Sequence, residues 1–548
     1  MNNVLLKIIF PFQFFFLFST YPLKGEESFL TPPHNFSVDP KNIALHHPVK
    51  TNQNLAQLYF DQGLSFVYAF NQDAAYWSFK KAAEVDPNMA MAYWGMALAL
   101  GPNLNVAISY EQSKQAYDLI RIGMEKAIDS PEIERDYIQS LQERFSGNKE
   151  KNQEELGLSY LQAMQKLHQK YPDDPDAAVL YAASLLELHP RNQWTRDGKP
   201  IGNALEAVNI LQIVLRSHPD HTGANHYYIH AMEDSLYPEM ALMSADRLRT
   251  LQALSGHMLH MSSHIYLSVG EYSKAIASNL DAIAADKAYI REYGMDGAYP
   301  TSYLSHNLYY LCRAYVMDGR FEDAMLAANT LKDLYLSTYP FLKDEEYYAS
   351  TPLSVLITFH QWKNILELQS PPNDMTLSKT LWLFGRALAY ASVGQIVQAK
   401  EHLLDFLEQK KNLLAKPFFL REREKQILDI AHYAIEAKIA DIQGNSDLAI
   451  ASLHRAIEIQ DSLRDSEPPN WFYSTRIALG SLLLKLKKAP EAESVFRQEL
   501  KRYPLSGRAL FGLRESLKAQ SKVSSTYWVN QAFQKAWQYS SISLIEKE

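Results

Sequence analysis

Residues 56–89 read AQLYFDQGLSFVYAFNQDAAYWSFKKAAEVDPNM, and the spacing of small, aromatic and helix-breaking residues in this stretch decides the fold. Counted from Ala56, Gly63 falls at position 8, Ala75 at 20, Phe79 at 24, Ala82 at 27 and Pro87 at 32. Small residues at 8, 20 and 27 let two antiparallel helices approach closely. Phe79 fills the space between them, and Pro87 ends the second helix. A second copy starts at Tyr473, with Gly480, Ala492, Phe496 and Pro504 in the same slots.

Weaker copies begin near Ala90, Thr222, Gly256, Ser305, Thr380 and Ile430. In four of them a glycine closes the first helix at position 15 (Gly270, Gly319, Gly394 and Gly444), and an alanine follows five residues later. A 34-residue period with these slots is the signature of the tetratricopeptide repeat (TPR). The fold expected is therefore an all-α, TPR-type α-solenoid of antiparallel helix pairs forming a curved superhelix.

Composition agrees with a folded helical chain. Of 548 residues, 47% are hydrophobic and only 21 are glycine, whereas 33 are tyrosine. The formal net charge of −8, without a long basic run, argues against nucleic acid as a partner. Cys312 is the single cysteine, which excludes an intramolecular disulfide and any CxxC zinc or redox motif.

Residues 1–25 read as a signal peptide, with Lys7 amid apolar residues and a Phe-rich run from Phe14 to Phe18. An exported protein, periplasmic or secreted, is expected, with no transmembrane span after processing. Residues 26–50 form an extended N-terminal segment, 51–368 an N-terminal repeat array with a His-rich centre, and 369–548 a C-terminal array. The polar stretch QSPPNDMT at 369–376 marks the break. Insertions are expected at 189–203 (HPRNQWTRDGKPIGN) and from Ile290 to Leu304, the second a candidate lid.

The sharpest chemical feature lies between Leu215 and Tyr310. His226 and His230 occupy positions 5 and 9 of one unit, and His260 and His264 the same positions one period later. Residues four apart share a helix face, and the first helices of neighbouring units pack side by side. Four imidazoles should therefore meet. Glu233 and His257 face the same space, with Asp234 and His306 at its border. Tyr227, Tyr309 and Arg313 continue the expected ligand groove.

Imidazole is a common ligand for zinc, copper, nickel and iron. The function expected is an exported scaffold that binds a protein or peptide partner in a metal-free concave groove. The alternative is a transition-metal site, a metalloenzyme included. A third is structural stacking against Tyr227, Tyr228 and Tyr266. No HExxH motif, phosphate loop or nucleophile elbow is present, and no residue is assigned a catalytic role. Met232, Met258 and Met261 flank the histidines at helical spacing and read as packing residues.

Three blocks carry a resemblance to a known family. They run from Ala56 to Asn105, from Asp176 through the histidine segments to Tyr310, and through EPPNWFYSTRIALGSLLL (467–484) with AESVFRQELKRYPLSGRALFGL (492–513). Together they resemble a bacterial TPR protein family with a His-rich central segment, departing from it at Gln72, where a histidine is expected. The resemblance implies a helical repeat fold and a His-rich centre, and it brings no reaction with it.

Overall fold

The computed structural model describes residues 36–251, 255–294, 302–338, 343–415, 422–463 and 471–544. The proposed signal peptide and the tip of the 290–304 insertion lie outside them. Twenty-four α-helices follow one another among these residues. They contain no strand, only an isolated bridge between Trp194 and Pro200. The protein is an all-α solenoid of TPR-type helix pairs. None of the described helices is long and apolar enough to cross a membrane.

The first pair is α1 (Asn54–Tyr68) and α2 (Gln72–Val85), followed by α3 (Ala90–Ala99). Phe79 is fully buried as the wedge between them. A Cβ at Gly63 would meet its ring at 2.8 Å and one at Gly95 at 2.3 Å, so both glycines are demanded by close approach. The same device recurs far along the chain. There Phe496 wedges against Gly480 and Gly512, where a Cβ would lie 2.5 and 2.2 Å from the ring.

The chain continues through α4 (Tyr110–Lys126), α5 (Glu132–Gln142), α6 (Gln153–Lys170), α7 (Pro175–Glu187) and α8 (Ala204–Ser217). The central part comprises α9 (Thr222–Met232), α10 (Leu242–Leu251), α11 (Gly256–Val269), α12 (Tyr272–Tyr293), α13 (Leu304–Asp318) and α14 (Phe321–Thr338). Helices α9, α11 and α13 are the first helices of three successive units. Gly270 and Gly319 end α11 and α13 with φ of 85° and 78°, and Gly394 and Gly444 end later helices with φ of 82° and 78°. These are the left-handed caps that the position-15 glycines indicated.

The superhelix curls back on itself at two places. Tyr68 at the end of α1 lies against Gly223 of α9, where a Cβ would meet the Tyr68 ring at 2.4 Å. The C-terminal residues fold onto the central units. Tyr272 donates to the Pro504 carbonyl (2.7 Å), Arg508 to the Val316 carbonyl (3.0 Å), and the Ser541 amide to the Gly319 carbonyl (3.1 Å). The two expected arrays are thus packed together through α11–α14.

Candidate metal centre

Capping sets the start of each histidine helix. The His221 Nδ1 accepts from the Ala224 amide at the head of α9, and the Ser255 hydroxyl accepts from the Met258 amide at the head of α11. The i, i+4 spacing then stacks His226 over His230 and His260 over His264, with ring centroids 4.8 Å apart in each pair. His257 joins the first pair and His306 the second. The result is two triads, His226–His230–His257 and His260–His264–His306. Within each, one potential ligand atom per residue lies within 4.8 Å of the others.

The triads are neighbours. The rings of His230 and His264 approach to 6.2 Å, and those of His257 and His260 to 6.3 Å. Glu233 spans them, accepting from His230 Nδ1 (2.8 Å) and, by a very short contact, from His264 Nδ1. Its side chain is only 6% exposed. Burial by itself raises a carboxyl pKa, but the His264 and His230 rings and their hydrogen bonds outweigh it and hold Glu233 well below the usual range.

Every paired imidazole is pinned through Nδ1. His226 donates to the Tyr68 carbonyl (2.6 Å) and His260 to the Asn279 Oδ1 (2.7 Å). The Asn279 amide is itself oriented by donation from Nδ2 to the Ala275 carbonyl (2.8 Å). His230 and His264 use Glu233. With Nδ1–H engaged, Nε2 is the ring nitrogen left for another partner, as in metal-bound histidines.

Two of those Nε2 atoms, on His226 and His230, are buried with no hydrogen-bond partner. The other two, on His260 and His264, face each other at 2.9 Å. Two lone pairs at that distance repel, so a proton or a cation must lie between them.

Phe70 roofs the first triad. Its ring lies 4.5 Å from that of His226 and stacks on His230 at 5.7 Å with an interplanar angle of 12°. The residue sits in the turn between α1 and α2 at φ 54°, a left-handed conformation that bulky side chains rarely adopt. Tyr310 covers the second triad, stacked 4.6 Å from His264. Phe70 gives the first triad an apolar wall, and the Tyr310 hydroxyl also reaches His264 Nδ1 (3.2 Å).

Burial, reinforced by neighbouring imidazoles, lowers the pKa of His226, His257, His260 and His306 well below 6.5. These rings are neutral at pH 7, as ligands must be. In the unfolded chain they bind protons below about 6.5, so there the unfolded state holds more protons than the folded one. The contribution of these groups to stability is complete above that pH and is lost as the pH falls below it. Metal-free protein should therefore unfold at progressively lower urea concentration between pH 7.5 and pH 5. An unchanged midpoint would mean that these rings are not held neutral.

Of the other expected groove residues, Tyr227 stays beside the first triad, its ring stacked on His226 (5.9 Å) and packed against Phe70 (5.6 Å), whereas Asp234 is exposed beyond the end of α9. Tyr309 stacks on Phe472 (5.4 Å), and the Arg313 guanidinium lies over Phe472 and Tyr503 (5.2 and 5.4 Å). Both belong to the contact with the C-terminal units. With His226 and His260 at 0% exposure, the cluster lines a closed interior rather than an open concave groove. The physical reason is that α1 and its turn, from the start of the chain, close over α9. Met258 and Met261 are fully buried packing residues.

Sequence reasoning missed the Tyr68 carbonyl, Phe70, Asn279 and Tyr310, which come from other units or from second helices without a distinctive motif. It also missed a second polar cluster. Asp176 accepts from His47 (2.7 Å), Tyr68 (2.6 Å) and His221 (3.2 Å), and Tyr137 donates to Asp174 (2.8 Å). These carboxylates are engaged by protein donors, and the network ties the N-terminal segment and α1 to α7 and α9.

Neither a protein-family model nor a curated protein matches the chain. Among solved structures, human IFIT1 as a dimer with PPP-AAAA is 14% identical with a TM-score of 0.30, covering 93% of this chain and 96% of that one. The yeast Tom70 structure is 11% identical with a TM-score of 0.29, covering 88% and 92%. A Cut9–Hcn1 structure is 12% identical with a TM-score of 0.29, covering 88% and 76%. At this level of similarity they say nothing about ligands.

Proposed function

We propose that this helical repeat protein is a metalloprotein holding two transition-metal ions, one in each histidine triad, with Glu233 orienting ligands of both. The observation that carries this reading is the pair of buried, unpartnered Nε2 atoms on His226 and His230. Both rings are fixed by Nδ1 bonds, and with His257 they bring one ring nitrogen each to within 4.8 Å of one another. Leaving such groups unsatisfied costs about 1–3 kcal/mol each, a cost that a metal–nitrogen bond of about 2.0–2.1 Å removes.

An all-imidazole set with a carboxylate behind it suits zinc, copper, nickel or iron rather than magnesium or calcium, which take oxygen ligands. Three nitrogens per ion leave coordination positions open, as in sites that bind or activate a small molecule. The apolar N-terminal stretch supports an exported setting for this centre. A peptide groove at this location has less support, because His226, His257, His260, Tyr309 and Arg313 are buried.

Elemental analysis of tag-free protein, purified without chelator, tests the reading. About two equivalents of a first-row transition metal per chain are expected, recovered on reloading after chelation. Traces only, before and after reloading with each of the four metals, would rule out the centre.

A further inference from the structure

The insertion at 189–203 is built onto the metal-bearing part of the fold. Its Trp194 indole donates to the Ala231 carbonyl of α9 (2.6 Å), one residue from His230. Its base is clamped by Gln193, whose amide donates to the Leu186 and His189 carbonyls (3.0 and 2.9 Å). Arg191, between these anchors, is exposed and held at φ 56°. A left-handed arginine is uncommon, and such conformations gather at ligand sites.

Arg191 does not point away into solvent. Its guanidinium donates to the Asn105 Oδ1 (3.0 Å), and the Asn105 amide reaches the Tyr303 hydroxyl (3.4 Å). The turn bearing Asn105 is itself fixed, because the Asn103 side chain accepts from the amides of Asn105 and Val106 (2.8 and 2.9 Å). The Tyr303 ring lies 4.4 Å from His257. Three segments remote in sequence therefore meet over the edge where the two triads join.

Exposure rises along this line. His260 is fully buried, His306, Tyr303 and Asn105 are half-buried, and Arg191 is exposed. Arg191 makes no ion pair with a carboxylate among the described residues. A fixed cation without an anionic partner, at the half-buried edge of a closed centre, favours entry of negative charge.

We propose that Arg191, Asn105 and Tyr303 form the entrance to the histidine centre at His257, where the two triads meet, and that the molecule admitted is a small carboxylate. The planar guanidinium fork beside an amide matches a carboxylate in charge and shape. With an ion bound, one carboxylate oxygen would fill an open position on it while Arg191 attracts the charge. No bond is broken in this step. The inference rests on the metal reading, since the ion supplies the second point of attachment.

The test is a titration of cobalt(II)-loaded protein, followed by its visible absorption, with azide, with acetate as competitor, and with imidazole at pH 8 as a neutral ligand. Arg191→Gln is expected to weaken azide and acetate about tenfold, the scale of one screened charge interaction. Imidazole binding should be unchanged, and Arg191→Lys should recover most of the anion affinity. Equal azide and acetate affinities in native protein and Arg191→Gln would overturn the proposal, as would an equal loss of imidazole. Failure of the native protein to take up cobalt would instead defeat the metal reading itself.

Discussion

Glu233→Ala is expected to depopulate both triads at once, whereas His226→Ala and His260→Ala should each depopulate one. Glu233 need touch neither ion for this. It holds His230 Nδ1 in one triad and His264 Nδ1 in the other, so its removal frees one ligand ring on each side. Loss of such a supporting carboxylate typically lowers metal affinity about 10–100-fold, and here the loss should appear in two sites. Its negative charge would also offset that of the two proposed cations in a buried interior.

The check is metal content and competition with a chromophoric chelator across the three variants. A Glu233→Ala protein that keeps both equivalents at native affinity would show that the imidazoles are held by packing alone. Loss of a single equivalent would restrict the carboxylate to one triad.

The second large effect is expected at Gly256. This residue opens α11 beside His257, and it packs against α12 with no room to spare. A Cβ there would lie 1.8 Å from the Asp286 Oδ1, 2.5 Å from its carboxyl carbon and 2.9 Å from the Ala282 backbone carbonyl. Asp286 cannot simply swing aside, because it is buried and its other oxygen accepts from Asn307 (2.6 Å). Gly256→Ala must therefore part α11 from α12.

Overpacking of this kind costs about 1–3 kcal/mol, visible as a lower urea midpoint. The same shift moves His257 and His260 against their partners on α9 and α13. Metal affinity should fall together with stability, although no ligand has been changed. Unaltered stability would mean that the α11–α12 crossing yields more easily than its packing indicates.

Much of this was legible in the 34-residue frame. The slots at Gly63, Ala75, Phe79 and Ala82 specify a helix pair with an aromatic wedge, and the structure has that pair. Gly270, Gly319, Gly394 and Gly444 mark helix ends because a left-handed residue is needed there. The matched spacing of His226/His230 and His260/His264 implies facing pairs, since neighbouring first helices lie parallel. His257 and His306, both at position 2, are the third members of their triads.

The closed character of the centre was not legible. A repeat period describes how a unit meets its neighbour and is silent on units four places apart. Phe70 and the Tyr68 carbonyl reach His226 across 158 residues, because the superhelix turns far enough to bring α1 against α9. That curvature accumulates from small rotations at each interface, which no single motif encodes. Asn279 was missed for a simpler reason: on a second helix a lone asparagine reads as a surface or capping residue.

The return of the C-terminal helices has a consequence of a different kind. An open solenoid behaves thermodynamically as a one-dimensional lattice, stabilised by nearest-neighbour couplings and fraying from its ends. Contacts from Pro504, Arg508 and Ser541 to α11–α14 add a coupling between distant lattice sites, so the chain is closed in part into a loop. Such closure suppresses end-fraying of the very units that carry the histidines. It also ties their cooperativity to helices nearly two hundred residues further along, so the centre reaches its full rigidity only after those helices have been synthesised.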